Sequence, residues 1–128
     1  SPPEEPGELE DSEEIQLPNP SPQLKNKLKS YVAFSKETPT VKPTKVWTIE
    51  FNATLRKTNR SSVQLFNHEG KRIEASVQLS TKQPVNELII SPKKAYQKGD
   101  RIYVLLNDWA DHQGNSLSQP IYFDFFVQ

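Results

Sequence analysis

The chain has 128 residues, no cysteine, and 16 acidic and 16 basic residues. The absence of cysteine excludes disulfides and Cys-ligated metal centres, and no apolar run approaches the roughly 20 residues that a membrane-spanning helix needs. With only four glycines, a glycine-rich phosphate-binding loop is not expected. A chain of this length can form one domain with a modest hydrophobic core.

The charge is distributed unevenly along the chain. Residues 1–22 contain seven acidic residues and no Lys or Arg, so residues 23–128 contain nine acidic and sixteen basic residues and carry a net charge of +7. The first 22 residues also hold six of the eleven prolines and few large aliphatic side chains. Such a segment cannot bury enough apolar surface to offset its ordering entropy. We therefore predict a disordered, acidic, proline-rich linker over residues 1–30.

Residues 23–29 allow two interpretations. They could form one short helical turn that places Leu24 and Leu28 on the same side. A continuation of the linker is the favoured interpretation, and the folded domain is accordingly expected to span residues 31–128.

From Tyr31 onwards, side chains alternate between apolar and polar, which indicates β-strands. In the second predicted strand, for example, Trp47, Ile49 and Phe51 point one way, towards the expected core. In the fourth, Ile73 to Leu79 alternate in the same manner. The predicted strands cover residues 31–35, 45–52, 63–66, 72–80, 87–91, 101–107 and 121–127.

Turn-forming residues separate these strands. Residues 67–70 are predicted to form a hairpin turn in which Gly70 takes the left-handed conformation, and residues 98–100 form a second turn. Between the last two strands, Asp111 to Asn115 supply side chains that bond nearby backbone groups. About seven strands with frequent turns predict an all-β fold, an immunoglobulin-like antiparallel β-sandwich preceded by the disordered N-terminal tail.

The order of motifs from Val46 to Val127 resembles the bacterial Ig-like domains of the S-layer-protein (SbsA) type. The segments that carry the resemblance are Trp47-Thr48-Ile49-Glu50-Phe51-Asn52, Ser61-Ser62-Val63-Gln64-Leu65, Glu69-Gly70-Lys71, Leu88-Ile89-Ile90-Ser91-Pro92, Tyr96-Gln97-Lys98-Gly99, Asp111-His112-Gln113-Gly114-Asn115-Ser116-Leu117 and Phe123-Asp124-Phe125. The chain departs from the family where a Tyr is usual three residues after the glycine, because that position is Ile102 and Tyr103 follows it. Either Ile102, Val104 and Leu106 face the core, or a bulge shifts the register.

The resemblance implies a non-catalytic structural or interaction module, a spacer or display unit of a larger secreted or cell-surface bacterial protein. The implied location is extracellular or at the cell surface, and the implied partners are neighbouring domains of the parent protein. The alternative is a module that binds cell-wall polymer or carbohydrate and is appended to a cell-wall hydrolase. No leader pattern or initiating Met is present, so we expect a mature or excised fragment.

Few residues point to chemistry. The two histidines, His68 and His112, fall in predicted turns, where a catalytic pocket is not expected, so we expect no enzyme activity and no cofactor. Asp108, Asp111 and Asn115 could supply oxygen ligands to Ca²⁺. Turn capping by Asp111 is the favoured interpretation, and no metal site is assigned.

Basic clusters and one tryptophan form the remaining candidate site. Arg56, Lys57 and Arg60 lie together in the crossing between the second and third strands, and Trp109 flanks the Asp-containing turn. These four residues are the candidate contacts for an anionic wall polymer or a glycan. Further basic residues follow the hairpin turn and precede the turn at residues 98–100. Because the aromatic residues mostly alternate inward, we expect no nucleic-acid binding, and no membrane insertion is expected either.

Overall fold

The computed structural model describes residues 16–51, 63–81, 86–107, 113 and 119–128. Within these ranges the chain forms one helix and nine strands. The elements are α1 (Pro22–Leu28), β1 (Val32–Ala33), β2 (Thr40–Val41), β3 (Trp47–Glu50), β4 (Val63–Asn67), β5 (Arg72–Ile73), β6 (Ala75–Leu79), β7 (Glu87–Pro92), β8 (Arg101–Leu106) and β9 (Ile121–Val127). Residues 1–15 of the predicted linker (residues 1–30) lie outside the described residues, as does the predicted turn over residues 111–115 apart from Gln113.

The strands form two sheets. The large sheet has the order β1-β9-β8-β4-β5, with β2 also paired to β9, and the small sheet has the order β3-β7-β6. β4, β8 and β9 pair antiparallel, as do the three strands of the small sheet. These two sets take the places of strands C-F-G and B-E-D in an immunoglobulin-like sandwich, so the all-β prediction is confirmed. The short β1 and β2 instead run parallel to β9.

The core lies between the two sheets and consists of the residues that the alternation predicted to face inward. Trp47, Ile49 and Phe51 pack against it from the small sheet, and Phe125 and Val127 are fully buried in it from the large sheet. Apolar burial of this kind contributes roughly 25 cal/mol per Å². The period-two pattern therefore identifies the face that drives the two sheets together.

The predicted strand over residues 72–80 is two strands. β5 pairs with β4 in the large sheet, whereas β6 pairs with β7 in the small sheet. Ile73 before the crossing and Ala75 after it both pack against the core. When a chain passes from one sheet to the other across a shared core, the same set of side chains still faces that core. The alternation therefore predicts the buried face correctly but does not show that the chain changes sheets.

β8 is buried on both faces, which settles the register that the sequence left open. Ile102, Val104 and Leu106 belong to the core between the sheets. Tyr103 and Leu105 point to the opposite face and are also buried there, in a second cluster that includes Leu24 of α1. No bulge is needed, because residues 101–106 pair continuously with β9.

Helix α1 covers the outer face of the large sheet. Ser21 caps it by accepting a hydrogen bond from the Leu24 N–H on its Oγ (3.3 Å), and Pro22 occupies the first turn. Leu24 is 2% exposed, and Leu28 packs against the same second cluster. The structure thus adopts the helical alternative for residues 23–29 and corrects the favoured linker interpretation, because the outer face of β8 offers apolar surface to bury.

The predicted hairpin turn holds the start of α1. Asn67 Oδ1 accepts hydrogen bonds from the N–H groups of Glu69 (3.0 Å) and Lys71 (2.9 Å), and Gly70 has φ = 88°, the left-handed conformation that glycine tolerates. The Ser21 N–H donates to the His68 carbonyl (2.7 Å). A side chain at position 70 would also approach Ser21 Oγ to 3.0 Å, so the turn and the helix start are fitted to each other.

Candidate interaction surfaces

The site residues predicted from the sequence lie outside the described residues. This applies to the weak calcium candidates Asp108, Asp111 and Asn115 and to the candidate polymer contacts Arg56, Lys57, Arg60 and Trp109. Their flanks are described: Asn107 follows β8, and Phe51 follows β3. Both candidate sites therefore remain predictions.

The described residues contain no cluster of three or more His, Asp or Glu side chains that could hold a metal ion. His68 has a structural role, since its Nδ1 accepts a hydrogen bond from the Arg101 backbone N–H (3.2 Å). His112 lies outside the described residues. No helix in the described ranges is long and apolar enough to cross a membrane.

A buried ion pair fixes the segment before α1 to the sheet. Arg101 Nε donates to Asp124 Oδ2 (2.7 Å), and the two side chains are 20% and 7% exposed. Arg101 Nη1 also donates to the Pro18 carbonyl (3.1 Å), and Thr38 Oγ1 donates to Asp124 (2.8 Å). The guanidinium additionally lies 5.2 Å from the Tyr103 ring centroid. One arginine thus joins β8, β9, the β1–β2 connection and the N-terminal segment.

A groove of about 400 Å³ opens between the sheets beside β3. We call it the β3 groove. It is lined by Phe34, Ser35, Glu37, Pro39, Trp47, Thr48, Ile49, Glu50, Leu106, Ile121, Phe123 and Asp124. Its exposed surface is mostly apolar, and Phe34 on its rim is 69% exposed. An aromatic side chain left in water beside an apolar groove is typical of a surface that contacts another molecule.

Trp47 forms the base of the β3 groove. Its ring packs against Phe123 and Phe125 with centroid distances of 5.1 and 5.2 Å, and Lys45 Nζ lies 4.8 Å from its ring centroid. Its indole N–H is buried and has no hydrogen-bond partner among the described residues. The sequence placed Trp47 in the core, and the structure shows a half-buried side chain that serves both the core and the groove.

A second groove, of about 430 Å³, is lined by residues that belong to or flank β5, β7 and β8. We call it the basic groove, because Lys71, Arg72, Lys93 and Lys94 are among its lining residues. The acidic residues in its lining are Glu74 and Asp100, and the Lys93–Glu74 pair is long, at 3.8 Å, and well exposed. Such an exposed pair contributes little, so the groove carries an excess of positive charge.

Tyr96 forms part of the wall of the basic groove and packs into the core. Its ring lies 5.2 Å from that of Phe125. Burial raises the pKa of Tyr96 to about 12, because an apolar site disfavours the phenolate. Its hydroxyl is buried without a hydrogen-bond partner in the described part of the chain. The Tyr96 ring therefore contributes apolar surface to the basic groove, which its lysines also line.

Sequence reasoning recognised the basic pairs at residues 71–72 and 93–94 but did not place them together. They are 20 residues apart in the chain, and the β5–β6 crossing brings them to one groove. The β3 groove was missed entirely. It depends on the strand order, which leaves β3 at the edge of the small sheet among the described residues.

Comparison with known proteins supports the fold. Neither a family model nor a curated protein sequence matches the chain. Among solved structures, it is similar to the N-terminal part of the bacterial S-layer protein SbsC, with a TM-score of 0.51 and 7% sequence identity over 70% of this chain and 23% of that one. At this identity the likeness shows the fold alone. The chain spans less than a quarter of the length of that structure, and the expected S-layer resemblance is confirmed only at the level of the fold.

Proposed function

We propose that the chain is a non-catalytic Ig-like module, a spacer or display unit of a larger secreted or cell-surface bacterial protein, related to the SbsA-type domains. The observation that carries this proposal is the two-layer sandwich, which is similar in fold to part of an S-layer protein. Folds of this type serve many functions, so the role rests on the surface features as well as on the architecture.

The polar groups of the described structure support a non-catalytic role. His68 uses Nδ1 to hold the backbone of Arg101, and Asp124 is engaged by Arg101 and Thr38. Both groups are used to join one element to another.

The location can be tested with antibodies raised against the purified chain. We expect them to label intact, unpermeabilised cells that express the parent gene, and protease treatment of those cells should remove the signal. Antibodies against a cytosolic enzyme serve as the control for cell integrity. Labelling that appears only after permeabilisation would contradict the proposal.

The basic groove supports a second candidate function, binding of an anionic wall polymer. Four basic side chains surround an apolar wall there, and such a patch attracts polyanions in a salt-dependent manner. The predicted contacts Arg56, Lys57, Arg60 and Trp109 would add to this surface or form another. The two surfaces can be separated by mutation.

Retention of the chain on purified peptidoglycan carrying teichoic acid tests this second function. We expect low-salt binding that Lys71→Glu with Lys94→Glu reduces, whereas Lys36→Glu with Lys42→Glu, an equal charge change outside the groove lining, reduces it less. Trp109→Ala reports on the predicted loop site. Equal loss in both double variants would indicate a nonspecific charge effect, and no retention at low salt would exclude wall binding.

A further inference from the structure

Within the ranges that the structure describes, β3 is an edge strand of the small sheet. In the described part of the chain, β3 pairs with β7 on one side and with no strand on the other. Immediately after β3, the Phe51 N–H donates to the Asn86 carbonyl (2.8 Å). Because the backbone groups of successive residues alternate in direction along an antiparallel pair, those of Thr48 and Glu50 point away from β7. Two residues thus present backbone donors and acceptors at the free edge.

The large sheet extends one strand beyond this edge. Trp47 contacts the rings of Phe123 and Phe125, so β3 lies opposite β9. β1 and β2 pair with β9 on its side away from β8 and therefore project past β3. Neighbouring strands lie about 4.8 Å apart, so among the described residues no strand of the small sheet occupies the position that faces β1 and β2. The β3 groove is this position.

The β3 groove has an apolar interior and an acidic rim. Its interior includes Ile49 and Phe123. Its acidic lining residues are Glu37 and Glu50, together with Asp124, whose carboxylate is buried and paired with Arg101. No Lys or Arg is among its described lining residues, although Lys45 Nζ lies 4.8 Å from the ring centroid of Trp47. An occupant that matches this surface has apolar side chains on one face and basic side chains on the other, which is the period-two pattern of a strand.

We propose that the β3 groove binds an extended segment of a partner protein, which adds to the small sheet as a strand next to β3. Its backbone pairs with Thr48 and Glu50, its apolar side chains enter the groove, and its basic side chains lie beside Glu50 and Glu37. Addition of a strand to an exposed edge supplies backbone hydrogen bonds for affinity and side-chain pockets for specificity. This binding activity goes beyond the structural role proposed above.

Two other occupants fit the surface less well. A second copy paired through β3 about a two-fold axis would place β1 and β2 of each copy in the space of the other copy's β9, since both large sheets lie on one side of the joined small sheet. Residues 1–22 of the chain contain seven acidic residues and no basic residue. The acidic rim of the β3 groove therefore repels this segment. The gap therefore favours a single basic, extended segment.

Synthetic peptides of about seven residues, the length of a typical strand, test the proposal. The first alternates Val and Lys, the second alternates Val and Glu, and the third has the composition of the first with its valines and lysines in blocks. We expect the first to bind most tightly, with amide NMR shifts and slower hydrogen exchange at Thr48 and Glu50. N-methylation of the peptide at alternate residues, on the side that faces β3, should abolish binding.

Variants of the protein provide the matched controls. Thr48→Pro removes the outward N–H and should prevent binding, whereas Thr48→Val retains the N–H and should bind normally. If Thr48→Pro unfolds the chain, the double variant Glu37→Lys with Glu50→Lys still tests the proposal. This variant should bind the Val/Glu peptide more tightly than the Val/Lys peptide, which reverses the preference of the unchanged protein. Equal binding of all three peptides, shifts confined to another surface, or peptide-independent dimerisation through β3 would overturn it.

Discussion

At the scale of single residues, the buried polar groups of the described structure differ in whether they have a hydrogen-bond partner. Arg101 and Asp124 satisfy each other and two further groups, so neither charge is left unpaired in the interior. Trp47 and Tyr96 differ, since the indole N–H and the phenol hydroxyl are buried without a partner among the described residues. An unmade hydrogen bond of this kind costs about 1–3 kcal/mol, which makes these two side chains sensitive probes of packing.

Replacing Tyr96 by Phe should therefore raise the free energy of unfolding, by about 1 kcal/mol. The substitution removes the unpartnered hydroxyl and keeps the ring that packs on Phe125. Urea denaturation at pH 7 measures the change, and Tyr96→Leu, which removes the ring, should be destabilising. A loss of stability in Tyr96→Phe would mean that the hydroxyl has a partner.

The two buried tyrosines should make the fold sensitive to alkali. Burial raises the pKa of Tyr96 and of Tyr103 to about 12, from 10.0 in the unfolded chain. Between these values the unfolded state releases protons that the folded state keeps, so the free energy of unfolding falls as pH rises from 10 to 12. Each tyrosine contributes a slope of at most about 1.4 kcal/mol per pH unit.

Urea midpoints at closely spaced pH values above 9 measure this slope. The double variant Tyr96→Phe with Tyr103→Phe should lose most of it, and each single variant should lose part. The same steep decline in the double variant would assign the alkaline sensitivity to other groups.

At the scale of the elements, the notable contact is between α1 and the outer face of the large sheet. A seven-residue helix is too short to be stable alone, so tertiary packing must hold it. Leu24 provides that packing against Tyr103 and Leu105, and Ser21 and His68 fix the start of the helix. The contact covers a strand whose outer face would otherwise expose two large side chains.

Leu24→Ala should lower the free energy of unfolding by about 2–4 kcal/mol, the usual range for a buried leucine. Lys25→Ala is the matched control, because Lys25 follows Leu24 and lies on the exposed side of α1. It should change the free energy of unfolding by less than about 0.5 kcal/mol. Thermal or urea denaturation provides the measurement. Equal stability of the two variants would show that α1 does not contribute to the fold in solution.

At the scale of the whole molecule, the predicted boundary between linker and domain can be tested. Pro18, which lies on the linker side of that boundary, is bonded to Arg101 of β8. The division into a linker over residues 1–30 and a domain over residues 31–128 remains a prediction, although α1 packs on the domain from the linker side of that boundary.

Two truncations locate the boundary. Removal of residues 1–15 should shift Tm by no more than about 2 °C, because the domain keeps every described contact. Removal of residues 1–28 should lower Tm by about 10 °C or more, since loss of α1 uncovers Tyr103 and Leu105 and about 1 kcal/mol corresponds to roughly 4–8 °C in a small domain. Equal melting temperatures for the two truncations would support the predicted boundary at residue 31.

How much of this fold the sequence predicts depends on the number of residues over which apolar and polar side chains alternate. Long alternating strands such as β9 are predicted with the correct inward face, because burial on one face leaves a period of two. β2 was missed, since the two residues Thr40 and Val41 are too few to alternate. The docking of α1 could have been inferred from β8, whose run Ile102 to Leu106 is apolar on both faces, a pattern that indicates cover on both sides.

The candidate sites were less predictable than the fold. The basic groove gathers residues from two distant segments, and the β3 groove exists because two short strands project past a three-stranded sheet. Neither arrangement leaves a local signal. Both depend on which strands become neighbours, and that is fixed by packing of the whole core.

The hydrogen bonds of Arg101 mark one end of the sandwich. Arg101 bonds Pro18, and it pairs in the sheet with Phe126. Pro18 and Phe126 therefore lie at the same end, whereas Asn107 and Gln119, which flank the β8–β9 connection, lie at the other.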